Sequence, residues 1–117
     1  MCSSDLSNSS GSNNVGIGTT LSSNTEGSNN VAVGDNALAS ANTSWNVAVG
    51  SNAYQNGTGG SNTIIGGDSM SQGSGNNNVA VGTEALKEAS GDGNIAIGAR
   101  ANSGARSEEH TSELQSR

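Results

Sequence analysis

Short apolar triplets followed by glycine recur along the chain, as in Val31-Ala32-Val33-Gly34. Successive triplets are sixteen residues apart, without insertion or deletion. The glycine column consists of Gly18, Gly34, Gly50, Gly66, Gly82 and Gly98. A fixed period of this kind is typical of a solenoid, in which each repeat forms one coil.

Further columns share this period. An asparagine stands four residues before each glycine, at Asn14, Asn30, Asn46, Asn62, Asn78 and Asn94. β-Branched residues stand three and one residues before it, and the residue between them is small except at Ile64. This period-two alternation predicts a short strand. We expect the β-branched pair to point into the core and the small residue to point to the opposite face.

A second apolar patch lies three and four residues after each column glycine, as in Ala37-Leu38 and Ala53-Tyr54. We interpret this patch as a second short strand. Nine residues after most of the column glycines stands another glycine, which indicates a turn; these are Gly27, Gly59, Gly75 and Gly91. Thr43 interrupts this column. Each repeat is therefore predicted to be strand, turn, strand, turn.

Such a coil is too small to bury an apolar face alone, so coils must stack, about 4.8 Å apart in the hydrogen-bonding direction. Stacking places identical positions in register, and the asparagine side-chain amides can then form a ladder along the rod. The predicted fold is all-β: a β-solenoid of six 16-residue coils. The asparagine and glycine columns are expected to be structural.

Composition and charge narrow the function classes. The chain has 18 Gly, one Trp, one Tyr and neither Pro nor Phe, which excludes a conventional aromatic-rich core. Low hydrophobicity with abundant glycine also occurs in disordered chains, but these do not keep a fixed register. The net charge of −6 argues against nucleic-acid binding.

Both ends of the chain resemble translated sequencing adapter. These segments are residues 1–6 and 106–117, and we expect residues 7–105 to be the natural repeats, cut from a longer protein. Cys2 and His110 are the single cysteine and histidine, and both fall in the end segments. We therefore expect neither of them to have a functional role.

The natural repeats contain few residues that could act in catalysis. Their acidic residues are scattered, and residues 7–105 contain no His/Cys cluster, paired carboxylates or glycine-rich calcium repeat. Lys87 and Arg100 are the two cations of this segment and stand alone in the sequence. We expect no catalytic residue, no metal and no cofactor, and hence no enzyme.

The two aromatic residues are candidates for a ligand contact. Trp45 replaces the Asn or Ser of its column and precedes a predicted strand, and Tyr54 lies nine residues later. Exposed aromatic side chains favour binding contacts. The alternative is that they fill the interior of the coil or pack between protomers.

The repeated Asn-Val-Ala-Val-Gly-x-x-Ala, at residues 30–37, 46–53 and 78–85, resembles the head repeats of YadA-like trimeric autotransporter adhesins. The resemblance covers residues 7–105, and residues 62–66 depart from the pattern. It implies a left-handed parallel β-roll, a homotrimer and an extracellular position on the surface of a Gram-negative bacterium. It also implies adhesion to a host matrix protein or surface glycan, without direct membrane contact by this segment. Similar repeats occur in phage tail fibres, where the rod is a spacer or binds a receptor; the sequence leaves this alternative open.

More than one chain is expected on physical grounds. A coil lined by Val, Ile and Ala buries little apolar area, which barely offsets an ordering cost of about 1.5 kcal/mol per residue. The small residues at the centres of the predicted strands form a column, which we name the small column, and they could let the backbones of neighbouring chains approach closely. This column consists of Gly16, Ala32, Ala48, Ala80 and Ala96. Further candidates for contact are Leu38, Tyr54, Met70 and Leu86. The number three comes from the family resemblance.

Overall fold

The computed structural model describes residues 11–21, 26–39 and 42–104. The end segments that were expected to be non-native lie outside these ranges, together with Cys2 and His110.

Six three-residue strands form one parallel sheet in chain order. They are β1 (Val15–Ile17), β2 (Val31–Val33), β3 (Val47–Val49), β4 (Thr63–Ile65), β5 (Val79–Val81) and β6 (Ile95–Ile97). Each strand pairs with the residues sixteen positions later, for example Val31 with Val47. The described chain contains no helix. The prediction of an all-β solenoid with 16-residue coils is therefore confirmed.

The sequence prediction assigned the two faces of each strand the wrong way round. The central small residue points into the coil and is buried, whereas the flanking β-branched residues are exposed or half-buried. The reason is the width of the interior. Large side chains from the opposite wall pack inside each coil, so the strand adds a small side chain there in five coils and Ile64 in the sixth. The inward residues are Gly16, Ala32, Ala48, Ile64, Ala80 and Ala96.

The second apolar patch is a turn and not a strand. In most coils φ is positive at the residue before the patch and at the second residue of the patch, as at Asn52 with 59° and Tyr54 with 53°. Backbone hydrogen bonds between neighbouring coils hold this conformation, for example from the Tyr54 amide to the Ser69 carbonyl at 3.0 Å. The second residue points inward and is buried; these side chains are Leu38, Tyr54, Met70 and Leu86. They form the core and cannot be the protomer contacts that the sequence suggested.

The first described coil differs slightly from the others. Leu21 follows Gly18 by three residues, whereas Leu38 follows Gly34 by four. Both leucines have positive φ and are fully buried. Leu21 thus continues the stack of large core side chains in spite of the shift of one residue.

The coil of β4, which departs from the repeated motif, keeps the same architecture. Ile64 occupies the inward position that alanine takes in the neighbouring coils, and it is fully buried. In the following turn Ser69 replaces the alanine of the other coils, and its Oγ donates to the Ala85 carbonyl at 3.1 Å. The larger strand residue is therefore accommodated without any change in strand register.

Candidate functional site

The outward side of the sheet carries a continuous band of β-branched side chains, which we name the apolar stripe. It consists of Val15, Ile17, Val31, Val33, Val47, Val49, Thr63, Ile65, Val79, Val81, Ile95 and Ile97. Five of these side chains are at least 41% exposed, and Ile97 is 59% exposed. The two columns of the stripe follow the six strands over about 24 Å, given about 4.8 Å per coil.

An apolar band of this length is a candidate interaction surface. Monomeric proteins rarely expose contiguous apolar patches larger than a few hundred Å². Sequence reasoning missed the stripe because it placed the β-branched residues inside. The regular small residue at the centre of each strand was the available signal, since a narrow interior accepts small side chains and leaves the larger ones outside.

The asparagine column forms a ladder between coils. The side-chain Oδ1 of one asparagine accepts the backbone N–H of the asparagine in the next coil, as in Asn30 to Asn46 at 2.9 Å and Asn46 to Asn62 at 3.0 Å. The Nδ2 group usually donates to a turn carbonyl instead, for example from Asn30 to Thr43 at 2.7 Å. From Asn30 onward the described members of the column are buried, so the ladder lies inside the rod and presents no ligand surface.

The column glycines permit close stacking of the backbones. Gly50 has a φ of 132°, and a Cβ placed there would lie 2.7 Å from the carbonyl of Gly66 in the next coil. A side chain at this position would therefore be strained and would collide with the neighbouring coil.

Tyr54, one of the two candidate ligand contacts, lies in the core and is inaccessible to a ligand. Its hydroxyl donates to the Gly59 carbonyl at 3.0 Å and accepts from the Asn62 Nδ2 at 2.9 Å. Burial raises the pKa of this hydroxyl far above its usual value, and the hydrogen bond from Asn62 offsets part of the rise. Tyr54 is therefore a neutral structural residue.

Tyr54 and Gly57 form a matched pair in the core, because a Cβ at residue 57 would overlap the tyrosine ring. Two coils later the same positions hold Leu86 and Ala89, both buried. We expect Gly57→Ala to destabilise the protein by about 1–3 kcal/mol through overpacking. In a Tyr54→Leu background the same change should cost much less.

Urea unfolding of the two single variants and the double variant measures this coupling. Equal effects of Gly57→Ala in both backgrounds would show that the tyrosine ring is not what requires glycine there.

Trp45, the other candidate, lies on the surface with 64% of its area exposed. Its φ is 67°, and the described residues at the same position of the other coils also have positive φ. Those residues are Asn13, Asn29, Ser61, Asn77 and Gly93. Most of them are types that accept this conformation readily, whereas a bulky residue there costs about 1–3 kcal/mol. The position of Trp45 therefore brings no gain in core packing to offset the strain.

The two cations are paired, although they stand alone in the sequence. Glu84 accepts from Lys87 Nζ at 3.1 Å and from Arg100 Nε at 2.7 Å, so it links two neighbouring coils. The hydrogen bonds from Arg100 and Lys87 lower the pKa of the Glu84 carboxyl. This group is on the surface and serves as a bridge between coils.

The described part of the chain shows neither a metal-binding cluster nor a membrane-spanning helix. Among residues 11–21, 26–39 and 42–104, no three His, Cys, Asp or Glu side chains are grouped so that they could hold a metal ion. Within the same ranges no helix is long and apolar enough to cross a membrane.

The comparisons with known proteins add no further assignment. No protein-family model matches the chain, and neither a curated protein nor a solved structure matches it. A functional assignment therefore depends on the fold and the surface of the chain. These define a β-solenoid with one apolar stripe and one exposed tryptophan.

Proposed function

We propose that this chain is a non-enzymatic, extracellular adhesion module that acts as a homotrimer, as the head repeats of a bacterial surface adhesin. The apolar stripe is the observation that supports the proposal. It follows all six strands, and its members at β1 and β6 are strongly exposed, with Val15, Ile17, Ile95 and Ile97 at 41–59%. A surface that repeats in every coil fits a partner with the same repeat.

A second copy of the chain has that repeat. Side-by-side copies place β-branched columns of equal spacing against each other, so coil meets coil along the rod. Closed cyclic symmetry is the usual arrangement of identical chains and leaves no apolar stripe uncovered. The number three follows from the resemblance of the repeats to those of trimeric adhesins. The corrected strand faces move the proposed interface from the small column to the stripe.

The rod leaves its turns accessible when the stripe is covered. Proposed partners at these turns are a host matrix protein or a surface glycan, and the proposed location is the surface of a Gram-negative bacterium. The turns carry short polar side chains and the exposed Trp45. The described residues provide a surface for adhesion, and we assign them no catalytic role.

Sedimentation of the full chain at micromolar concentration is expected to show a discrete species of three chains. Val49→Asp combined with Val81→Asp should convert it to a monomer, because each trimer would bury six unpaired carboxylates. Both valines point outward and are half-buried in the single chain, so the circular dichroism spectrum of the variant should stay that of a β-solenoid.

Asn56→Asp is the matched control. It adds a carboxylate on an exposed turn, at a coil position that Glu88 occupies two coils later. This variant should remain trimeric. A wild-type chain that sediments as a monomer and unfolds cooperatively would contradict the proposed assembly.

A further inference from the structure

The surface beside Trp45 differs from that of every neighbouring coil. In the next coil the two residues level with Ser44 and Trp45 are Gly60 and Ser61. The coils on either side have larger pairs at these positions, Ser28-Asn29 and Asn76-Asn77. The next coil therefore presents only the short Ser61 side chain beside Trp45, and we name the surface at Gly60 and Ser61 the step.

A ladder of hydrogen bonds is interrupted at the same step. In this column a side-chain oxygen accepts the backbone N–H of the preceding coil, as in Ser28 N–H to Ser44 Oγ at 2.9 Å and Gly60 N–H to Asn76 Oδ1 at 2.8 Å. Gly60 has no side chain, so it cannot accept the N–H of Ser44. The step thus combines an aromatic face with a backbone donor that the ladder does not use.

The side chains that flank Trp45 in its own column and in that of Ser44 are polar and uncharged. Asn29 supplies an amide and Ser61 a hydroxyl, one coil before and one coil after Trp45, about 4.8 Å away along the rod on each side. The two columns carry no charged side chain from the coil of Ser28 to that of Asn76. A ligand that fits this surface has a flat apolar face to stack on the indole and hydroxyl groups for the polar donors and acceptors.

The geometry points to Trp45 as the stacking residue of a binding site for a neutral glycan, in which the sugar ring lies in the step at Gly60 and Ser61. A pyranose ring has the required chemistry, with C–H groups on one face and hydroxyls at its edge. This inference deepens the proposed function and rests on it for the biological role of binding. Trp45 carries strain without a packing gain, and binding is what would retain it there.

Intrinsic fluorescence is a direct test because Trp45 is the single tryptophan of the chain. The full chain is titrated with neutral hexasaccharides of glucose, mannose, galactose and N-acetylglucosamine. At least one of them is expected to shift the tryptophan emission in a saturable way and to protect it from acrylamide quenching. Emission that responds to none of them would overturn the inference.

Two variants separate binding from folding. Trp45→Asn places the most frequent residue of the column at a positive φ that asparagine accepts, so its melting temperature should be unchanged or higher. Calorimetric titration should show binding at least about tenfold weaker than for the wild type, as for other aromatic contact residues. Trp45→Phe keeps an aromatic face and should bind less than tenfold more weakly. Equal binding by Trp45→Asn and the wild type would overturn the inference.

Two other occupants of the step give distinct results. An indole that is already shielded from acrylamide in the assembled protein without glycan would identify Trp45 as a protomer contact and overturn the inference. Saturable binding of oligolysine, lost at high salt, in place of the glycans would do so as well. The test of the site is separate from the test of the trimer. Glycan binding by the Val49→Asp, Val81→Asp variant would support the site, even if sedimentation shows that the wild-type chain is not a trimer.

Discussion

Ala48→Asp is expected to unfold the solenoid, whereas Val49→Asp should leave a single chain folded. Ala48 is fully buried at the centre of β3, and an aspartate there would place an unpaired charge inside the coil. We expect a loss of about 4–5 kcal/mol or more, which is comparable to the whole stability of a small domain. Val49 points outward and is half-buried, so an aspartate carboxylate there could reach water in the single chain.

Urea unfolding followed by circular dichroism measures both variants at a concentration that keeps the chains apart. Ala48→Ser is the control for a polar side chain of similar size without charge. Comparable losses for Ala48→Asp and Val49→Asp would show that the assignment of inner and outer faces is wrong. The structure reverses the assignment of inner and outer faces that was inferred from the sequence. The two variants therefore distinguish directly between these two assignments.

Asn46→Leu is expected to destabilise the protein by about 2–5 kcal/mol, although leucine has a similar size. The Asn46 Oδ1 accepts the Asn62 backbone N–H at 3.0 Å, and its Nδ2 donates to Thr43 Oγ1 at 2.8 Å and to the Gly59 carbonyl at 3.3 Å. Leucine leaves the Asn62 N–H and the Thr43 Oγ1 without this partner, whereas the Gly59 carbonyl keeps the hydrogen bond from the Tyr54 hydroxyl. Each buried group that loses its hydrogen bond costs about 1–3 kcal/mol.

Asn77→Ser is the matched control for the ladder. Asn77 also belongs to an asparagine-rich column but is exposed, and Ser61 occupies the same position one coil earlier with the same positive φ. The control should change stability by less than about 0.5 kcal/mol. An Asn46→Leu variant as stable as this control would show that the ladder does not hold the coils together.

The architecture of the rod could be predicted from the sequence, because the period and the residue type in each column can be read directly from the chain. The spacing of sixteen residues specifies the parallel register, in which Val31 must meet Val47. The three-residue strands follow from the alternation of β-branched and small residues. The turn at the second apolar patch could not be predicted in this way, since Leu38 and Tyr54 are poor candidates for positive φ by themselves. Hydrogen bonds from the next coil impose that conformation.

The candidate site shows the same division between local and tertiary information. Trp45 and Tyr54 looked equivalent in the sequence, as the two aromatic residues of one segment. The structure places Trp45 in solvent and Tyr54 in the core, because the turn at Tyr54 directs its side chain inward and Gly57 leaves room for the ring. The step beside Trp45 likewise depends on which residues meet sixteen positions apart, at Ser44 and Gly60.

The sequence by itself determined the repeat, the first strand of each coil and the order of the coils, since these depend on spacing along the chain. Only the tertiary structure decided which face of each strand is inside. A period of two distinguishes two faces without saying which of them is buried, and here both are apolar. The packing of the coils settles the choice: Ala48 is fully buried in the same core cluster as Leu38, Tyr54 and Met70, whereas Val49 points outward. The β-branched residues are therefore left on the outside, where they form the apolar stripe.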